Sequence, residues 1–132
     1  MNAEQDELVR YRMNRAKMSL SEARIMFEKE MLFGVVNRCY YAGYYAVCAL
    51  LLTKGKSHSK HSGVLAMFQT HVMKKGGIPT ETGRFYSQLY KYHLKADYED
   101  YAELKALEVL SLLDRTTQFV NQVNMIIERM LS

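Results

Sequence analysis

The scarcity of helix-breaking residues is the feature that most constrains this chain. Its 132 residues contain one proline, Pro79, and seven glycines, whereas leucine, alanine, methionine, glutamate and lysine are abundant. Proline and glycine interrupt helices most strongly, and the abundant residues are good helix formers. No segment shows the alternation of apolar and polar residues that is typical of a half-buried strand. The sequence therefore predicts an all-α protein.

Apolar periodicity and turn residues divide the chain into about five helices. Because the connections between them are short, we predict an antiparallel up-down bundle that forms a single domain over residues 1–132. The predicted helices cover residues 6–29, residues 34–53, the segment after the polar loop 57–63, residues 80–94, and a stretch from about residue 100 to the C terminus.

Polar residues mark the starts of two of these helices. Ser57 or Ser59 is expected to cap the third helix. Asp100, followed by Glu103, resembles a capping box for the fifth helix. On the first helix, we expect the following apolar residues to face the core: Leu8, Tyr11, Ala16, Met18, Leu20, Ala23, Met26 and Phe27.

Charge and cysteine content limit the class of protein. The net charge of +4 permits an anionic partner but lacks the dense basic stripe of a dedicated nucleic-acid binder. Cys39 and Cys48 are about 13 Å apart along one predicted helix, so they cannot form a disulfide with each other. The N terminus has no apolar signal core, and the longest uncharged run, residues 39–53, is shorter than the ~20 residues that span a bilayer. We therefore expect a cytoplasmic protein without membrane contact.

The segment from Asn37 to Ala46 is unusually polar for a buried helix. It contains four tyrosines together with Asn37 and Arg38. Each buried phenol or guanidinium needs a partner, so this helix is expected to have a second role in a subunit contact, a ligand contact or a polar network. Arg38 could hold a phosphate or carboxylate through two parallel hydrogen bonds. The alternative is a structural ion pair, for instance with Asp97 or Glu99.

The histidines offer two further candidates. His58 and His61 have a spacing compatible with metal binding, but no third ligand lies nearby in sequence, so no metal is expected. His61 could instead exchange protons, because it lies at a junction between loop and helix. His93 and Tyr98 form the second candidate pair, with a surface histidine as the alternative. The dipole at the end of the fourth helix would favour the charged form of His93.

Several short motifs, taken together, resemble one family. They are Asn37-Arg38-Cys39-Tyr40-Tyr41-Ala42, Ser59-Lys60-His61-Ser62-Gly63 and Ala96-Asp97-Tyr98, preceded by Arg15-Ala16-Lys17 and Leu20-Ser21-Glu22-Ala23. The chain resembles the HEPN domain over nearly its whole length, in the small stand-alone prokaryotic branch. The resemblance implies a bundle of about five helices that forms a homodimer. It also implies a minimal nucleotidyltransferase as partner in a toxin–antitoxin system.

Catalytic members of that family are metal-independent ribonucleases, and this chain departs from their signature. The signature is an arginine, four to six residues and a histidine near the end of the fourth helix. The matching region here begins at His93 and ends at Tyr98, and no arginine in the chain is followed by a histidine at that spacing. A tyrosine with a pKa near 10 is a poor proton shuttle at neutral pH. The standard ribonuclease assignment is therefore not transferred to this chain.

Three functions follow as hypotheses. The first is a module that binds a nucleotide, RNA or a nucleotidyltransferase. The second is a ribonuclease toxin with a rearranged site, and the third is a structural dimerisation adaptor. No cofactor is expected. The candidate ligand-binding residues are Asn37, Arg38, Tyr41, Lys60 and Asp97, and the weaker catalytic candidates are His93, Tyr98 and His61.

Overall fold

A computed structural model describes residues 2–131 as a bundle of five α-helices, which confirms the predicted all-α class. The third helix continues into a short π-helical segment, Gln69–Met73. Most of the described chain lies in helices, which are joined by connections of three to eight residues. The helices are α1 (Ala3–Glu28), α2 (Leu32–Leu52), α3 (His61–Phe68), α4 (Thr80–Tyr98) and α5 (Ala106–Leu131).

Helix α2 is the centre of the bundle. It packs against α1, α3, α4 and α5, and more than half of its residues are buried. Gly43 lies where α2 meets α4, since a Cβ there would be 2.7 Å from Leu89. Burial of the apolar side chains of α2 against these helices stabilises the fold by about 25 cal/mol for each Å² of apolar surface removed from water. The polar groups of α2 therefore belong to a helix that is packed on four sides.

Helix α1 begins at Ala3, a few residues before the predicted start at residue 6. Asn2 caps α1 through a 2.8 Å hydrogen bond from the backbone N–H of Gln5.

The hairpin between α1 and α2 also begins earlier than predicted. Glu30, at φ 60°, makes the turn, so α2 begins at Leu32 and not at residue 34. Gly34 is inside α2, where a Cβ would lie 2.7 Å from the sulfur of Met26. This glycine therefore allows close approach of α1 and does not end a helix.

The start of α3 also differs from the prediction. Neither Ser57 nor Ser59 caps the helix: Lys60 occupies the N-cap position without a side-chain hydrogen bond. The imidazole of His58 instead accepts a 3.0 Å bond from the backbone N–H of Lys60 and packs against Gly63. This bond satisfies the N–H of the N-cap residue itself, so the first turn of α3 has no side-chain cap.

The ends of α4 and α5 correct two further predictions. Helix α4 continues to Tyr98, four residues beyond the expected end at Leu94, and the buried Ala96 belongs to its inner face. Helix α5 begins at Ala106, so Asp100 and Glu103 lie in the preceding loop and form no capping box. The residues near Asp97 are therefore helical, which holds their side chains in a fixed register.

The inward face of α1 is confirmed at Ala16, Leu20 and Ala23 and partly at Met26 and Phe27, but not at Leu8, Tyr11 and Met18. The buried side chains of α1 include Val9 and Met13, whereas Tyr11 and Met18 are more than half exposed. The predicted stripe combined residues from two faces of α1. One face is apolar and packs on the core, and the other also carries some large apolar residues but faces solvent. Helix α1 therefore presents an uncovered set of large apolar side chains.

Candidate ligand-binding site

The tyrosines of α2 divide between core and surface. Tyr40 is fully buried, and Tyr41, Tyr44 and Tyr45 are half-buried. Tyrosines four residues apart are in contact: the rings of Tyr40 and Tyr44 stack with centroids 6.0 Å apart, and those of Tyr41 and Tyr45 are tilted with centroids 6.1 Å apart. Burial raises the pKa of Tyr44 to about 12, so this phenol stays protonated. These side chains form an aromatic wall along one side of α2.

His93 lies against this wall. Its ring is parallel to that of Tyr40, with centroids 4.0 Å apart, and the side chain is almost fully buried. Its Nδ1 is 2.9 Å from a carboxylate oxygen of Asp97, one turn further along α4, although the contact lacks the alignment of a regular hydrogen bond. Burial lowers the pKa of His93 below its usual value of 6.5, Asp97 opposes this shift, and His61 adds to it. The expected surface histidine, charged at a helix end, is thus a buried histidine that favours the neutral form.

His61 joins His93 and the tyrosines in one cluster. As the first residue of α3, His61 is half-buried, and its ring centroid lies 4.6 Å from that of Tyr44 and 5.6 Å from that of Tyr41. The rings of His61 and His93 are 6.4 Å apart. We refer to Tyr40, Tyr41, Tyr44, His61 and His93 as the aromatic cluster. Three helices, α2, α3 and α4, contribute to it.

Arg38 borders the aromatic cluster. Its guanidinium carbon lies 5.1 Å from the ring centroid of Tyr41, and Asn37 Oδ1 accepts hydrogen bonds of 2.7 and 3.0 Å from its Nη2 and Nε. Its acidic partner is Glu22 of α1, 3.6 Å from Nη1, and not Asp97 or Glu99 as the ion-pair alternative expected. Because Glu22 is half exposed, this pair is screened by water and is weak. Arg38 is thus oriented by Asn37 and remains able to bind an anion.

The structure brings together most of the predicted site residues. Asn37, Arg38 and Tyr41 lie at one edge of the aromatic cluster, and Asp97 contacts His93 at another. Tyr98 is three-quarters exposed, with its ring 6.3 Å from that of His93. Lys60 is an exposed neighbour of His61 in the chain.

Two residues near the cluster were not among the predicted site residues. They are Glu22 and Tyr90. Tyr90 precedes His93 by three residues, a helical spacing that could have revealed it. Glu22 depends on the register between α1 and α2, for which the sequence has no local signal.

Metal binding and membrane insertion each require a recognisable structural feature. Within residues 2–131, no three His, Cys, Asp or Glu side chains are grouped closely enough to hold a metal ion. In the same part of the chain, no helix is both long and apolar enough to cross a membrane.

The arrangement is suited to binding an anion next to a flat ring. A cation held over Tyr41 attracts phosphate or carboxylate, and half-buried aromatic faces can stack on a nucleobase. His61 is partly accessible and could donate a hydrogen bond or exchange a proton. His93 is shielded by Tyr40 and Asp97, which limits its direct access to a ligand.

The fold and this cluster define an all-α bundle with an arginine and two histidines around one tyrosine. The HEPN domain family matches residues 9–126, and the chain belongs to the HEPN family. A "UPF0332 protein" of Thermotoga maritima is 36% identical over 125 residues, which are 95% of either chain.

Two proteins of Methanocaldococcus jannaschii are also similar. "Putative toxin MJ0142" is 35% identical over 108 residues, covering 82% of this chain and 74% of that protein. "Putative toxin MJ0605" is 34% identical over 114 residues, covering 82% of this chain and 85% of that protein. The predicted family is therefore confirmed, and toxin-like relatives exist within it.

Proposed function

We propose that this chain is the HEPN subunit of a cytoplasmic toxin–antitoxin system and binds RNA at the aromatic cluster. In this proposal it forms a homodimer and is regulated by a minimal nucleotidyltransferase. The observation that supports it best is the convergence of Arg38, His61 and Tyr41, from two helices, on one partly accessible surface. The toxin names of two relatives support the biological setting.

Arg38 is the residue on which RNA binding most depends. Its guanidinium is fixed by Asn37 on one edge, lies over Tyr41, and has only a weak competing partner in Glu22. A phosphate that replaces Glu22 would keep the arginine in place and gain charge-assisted hydrogen bonds. A base attached to that phosphate could stack on the half-buried tyrosines. Single-stranded RNA supplies both groups.

Fluorescence anisotropy with a short, labelled single-stranded RNA of mixed sequence tests this proposal. Hydrogen bonds to a charged group contribute about 1.5–3 kcal/mol, so Arg38→Ala should raise Kd about tenfold or more. The slope of log Kd against log salt should fall by about 0.7. Arg10→Ala is the matched control. Arg10 of α1 also pairs with a half-exposed glutamate, but that glutamate is Glu128 of α5, away from the aromatic cluster. Equal affinities for wild type and Arg38→Ala would refute the site.

The partner is tested independently of RNA binding. Expression of the chain in its host should arrest growth, and co-expression of a neighbouring gene for a minimal nucleotidyltransferase should relieve the arrest. The two proteins should also co-purify. Normal growth during verified expression of folded protein would contradict the toxin assignment, and the absence of such a neighbouring gene would contradict the partner.

A rearranged ribonuclease is the second candidate function. A rearranged site needs Arg38 and at least one histidine close together, and Arg38 and both histidines lie around the ring of Tyr41. In this mechanism His61 removes the proton from a 2′-hydroxyl, which then attacks the adjacent phosphorus. Arg38 stabilises the added negative charge, and the 5′-oxygen leaves with a proton from water or a second acid. The products are a 2′,3′-cyclic phosphate and a 5′-hydroxyl.

Incubation of total RNA with the purified protein, without added metal, decides between binding and cleavage. If the chain is a ribonuclease, His61→Ala should lower the cleavage rate by about 100-fold or more. His71→Ala is the control, because His71 lies in the π-helical segment away from the aromatic cluster. Intact RNA in the presence of the wild-type protein would eliminate the ribonuclease candidate and leave the binding module.

A further inference from the structure

Helix α1 has an exposed apolar row with a seven-residue repeat. Tyr11, Met18 and Ile25 are 53%, 55% and 57% exposed, and successive members are seven residues apart. This spacing places them on one face over about 21 Å of helix. In a coiled coil, residues with this seven-residue spacing lie along the seam between two helices.

A second row runs beside the first and carries opposite charges. Arg15 and Glu22 follow Tyr11 and Met18 at the same offset of four residues. If two copies of α1 pair in antiparallel orientation about Met18, Tyr11 of one copy faces Ile25 of the other. The same register places Arg15 opposite Glu22 to within one residue. Parallel pairing would instead oppose Arg15 to Arg15 and Glu22 to Glu22, which repel each other.

We infer that this face of α1 binds a second copy of the chain in a two-fold symmetric, antiparallel contact centred on Met18. The face is complementary to itself in both apolar and charged residues, as an isologous interface requires. The inference rests on the homodimer in the proposed function and identifies the surface that forms it.

This face is continuous with the candidate ligand-binding site. Arg15 donates a 2.8 Å hydrogen bond to the hydroxyl of Tyr45, whose ring centroid is 6.1 Å from that of Tyr41. Glu22 contacts Arg38 on the other side. Dimerisation through α1 would therefore place both copies of the RNA-binding surface beside one interface, so that a single strand could contact both.

Sedimentation velocity over a concentration series tests the interface with a matched pair of variants. Met18→Lys places two positive charges at the two-fold axis and should raise the dimer dissociation constant by about 30-fold or more. Met125 on α5 is the control, because it is the same residue type at 56% exposure. Met125→Lys should dissociate like wild type.

Disulfide cross-linking gives a readout that does not depend on destabilising the protein. Met18→Cys should form a covalent dimer under mild oxidation, and Met125→Cys should remain monomeric on denaturing gels. A wild-type dimer that Met18→Lys leaves intact, or that cross-links through residue 125, would refute this surface while retaining the homodimer. A wild-type monomer at all concentrations would refute both, and RNA anisotropy reports separately on the ligand site.

Discussion

Acidification should destabilise the protein through His93. The imidazole is almost fully buried, and burial lowers its pKa below 6.5 despite the nearby carboxylate of Asp97. The unfolded chain therefore binds a proton more readily than the folded chain below about pH 6.5. Stability from this residue is fully present above that pH and is lost as the pH falls toward the folded pKa.

The size of this effect has an upper limit. One proton with an unfolded pKa of 6.5 can lower the free energy of unfolding by at most about 1.4 kcal/mol between about pH 7.5 and about pH 5.5. For a chain of this length, that corresponds to a decrease in Tm of roughly 4–6 °C. The groups that face His93 are Asp97 and Tyr98 on its own helix, His61 on α3, and Tyr40 and Tyr41 on α2.

Urea denaturation followed by circular dichroism at several pH values measures the effect. Because other groups also titrate, the relevant quantity is the difference between wild type and His93→Phe, which keeps a ring against Tyr40 but binds no proton. This difference should shift in favour of the variant by up to about 1.4 kcal/mol at low pH. Asp97→Asn should enlarge the loss in acid, because it removes the charge that opposes the shift.

The opposite sign would refute the reasoning. If His93 and Asp97 form a strong ion pair in the folded protein, acid would favour wild type over His93→Phe in the same pH range. Burial has the larger influence on the pKa of His93 and the charge of Asp97 the smaller one, so acid is expected to favour the variant.

Three further predictions concern packing and reactivity. Gly43→Ala should lower the free energy of unfolding by about 1–3 kcal/mol, because the new methyl group would lie 2.7 Å from the buried side chain of Leu89, where α2 packs on α4; Gly77→Ala, with ordinary contacts, is the control for urea denaturation. Phenylalanine at both Tyr40 and Tyr86 should leave thermal stability equal or higher, because the double change removes both of two neighbouring buried hydroxyls and so leaves neither of them orphaned; a clear decrease in Tm would reveal a wider polar network. Both free thiols should react slowly with Ellman's reagent in the native state, since burial raises their pKa values; fast native labelling would show that α2 opens.

Local sequence signals predicted the helices better than their ends. The apolar periodicity and the single proline identified five helices, because these features act within a few turns of one segment. Asp100 and Glu103 have the residue types of a capping box but lie in a loop, and neither Ser57 nor Ser59 caps α3. Capping depends on backbone geometry that packing determines, so residue type alone misplaced these boundaries.

The sequence also identified the residues of the candidate site without their arrangement. Asn37, Arg38 and Tyr41 stood out because polar groups are costly in a buried helix. The contact between Arg38 and Glu22 could not be predicted, since it depends on how α1 and α2 are aligned over a separation of sixteen residues.

The sequence by itself determined the helical class, the HEPN family and the polar character of α2, because periodicity, composition and short motifs are local properties. The tertiary structure decided which residues meet. It buried His93 against Tyr40, brought His61 beside Tyr41, and left Tyr11 and Met18 of α1 in solvent. The physical reason is that burial and pairing depend on the packing of several helices around α2, and no single helix contains that information.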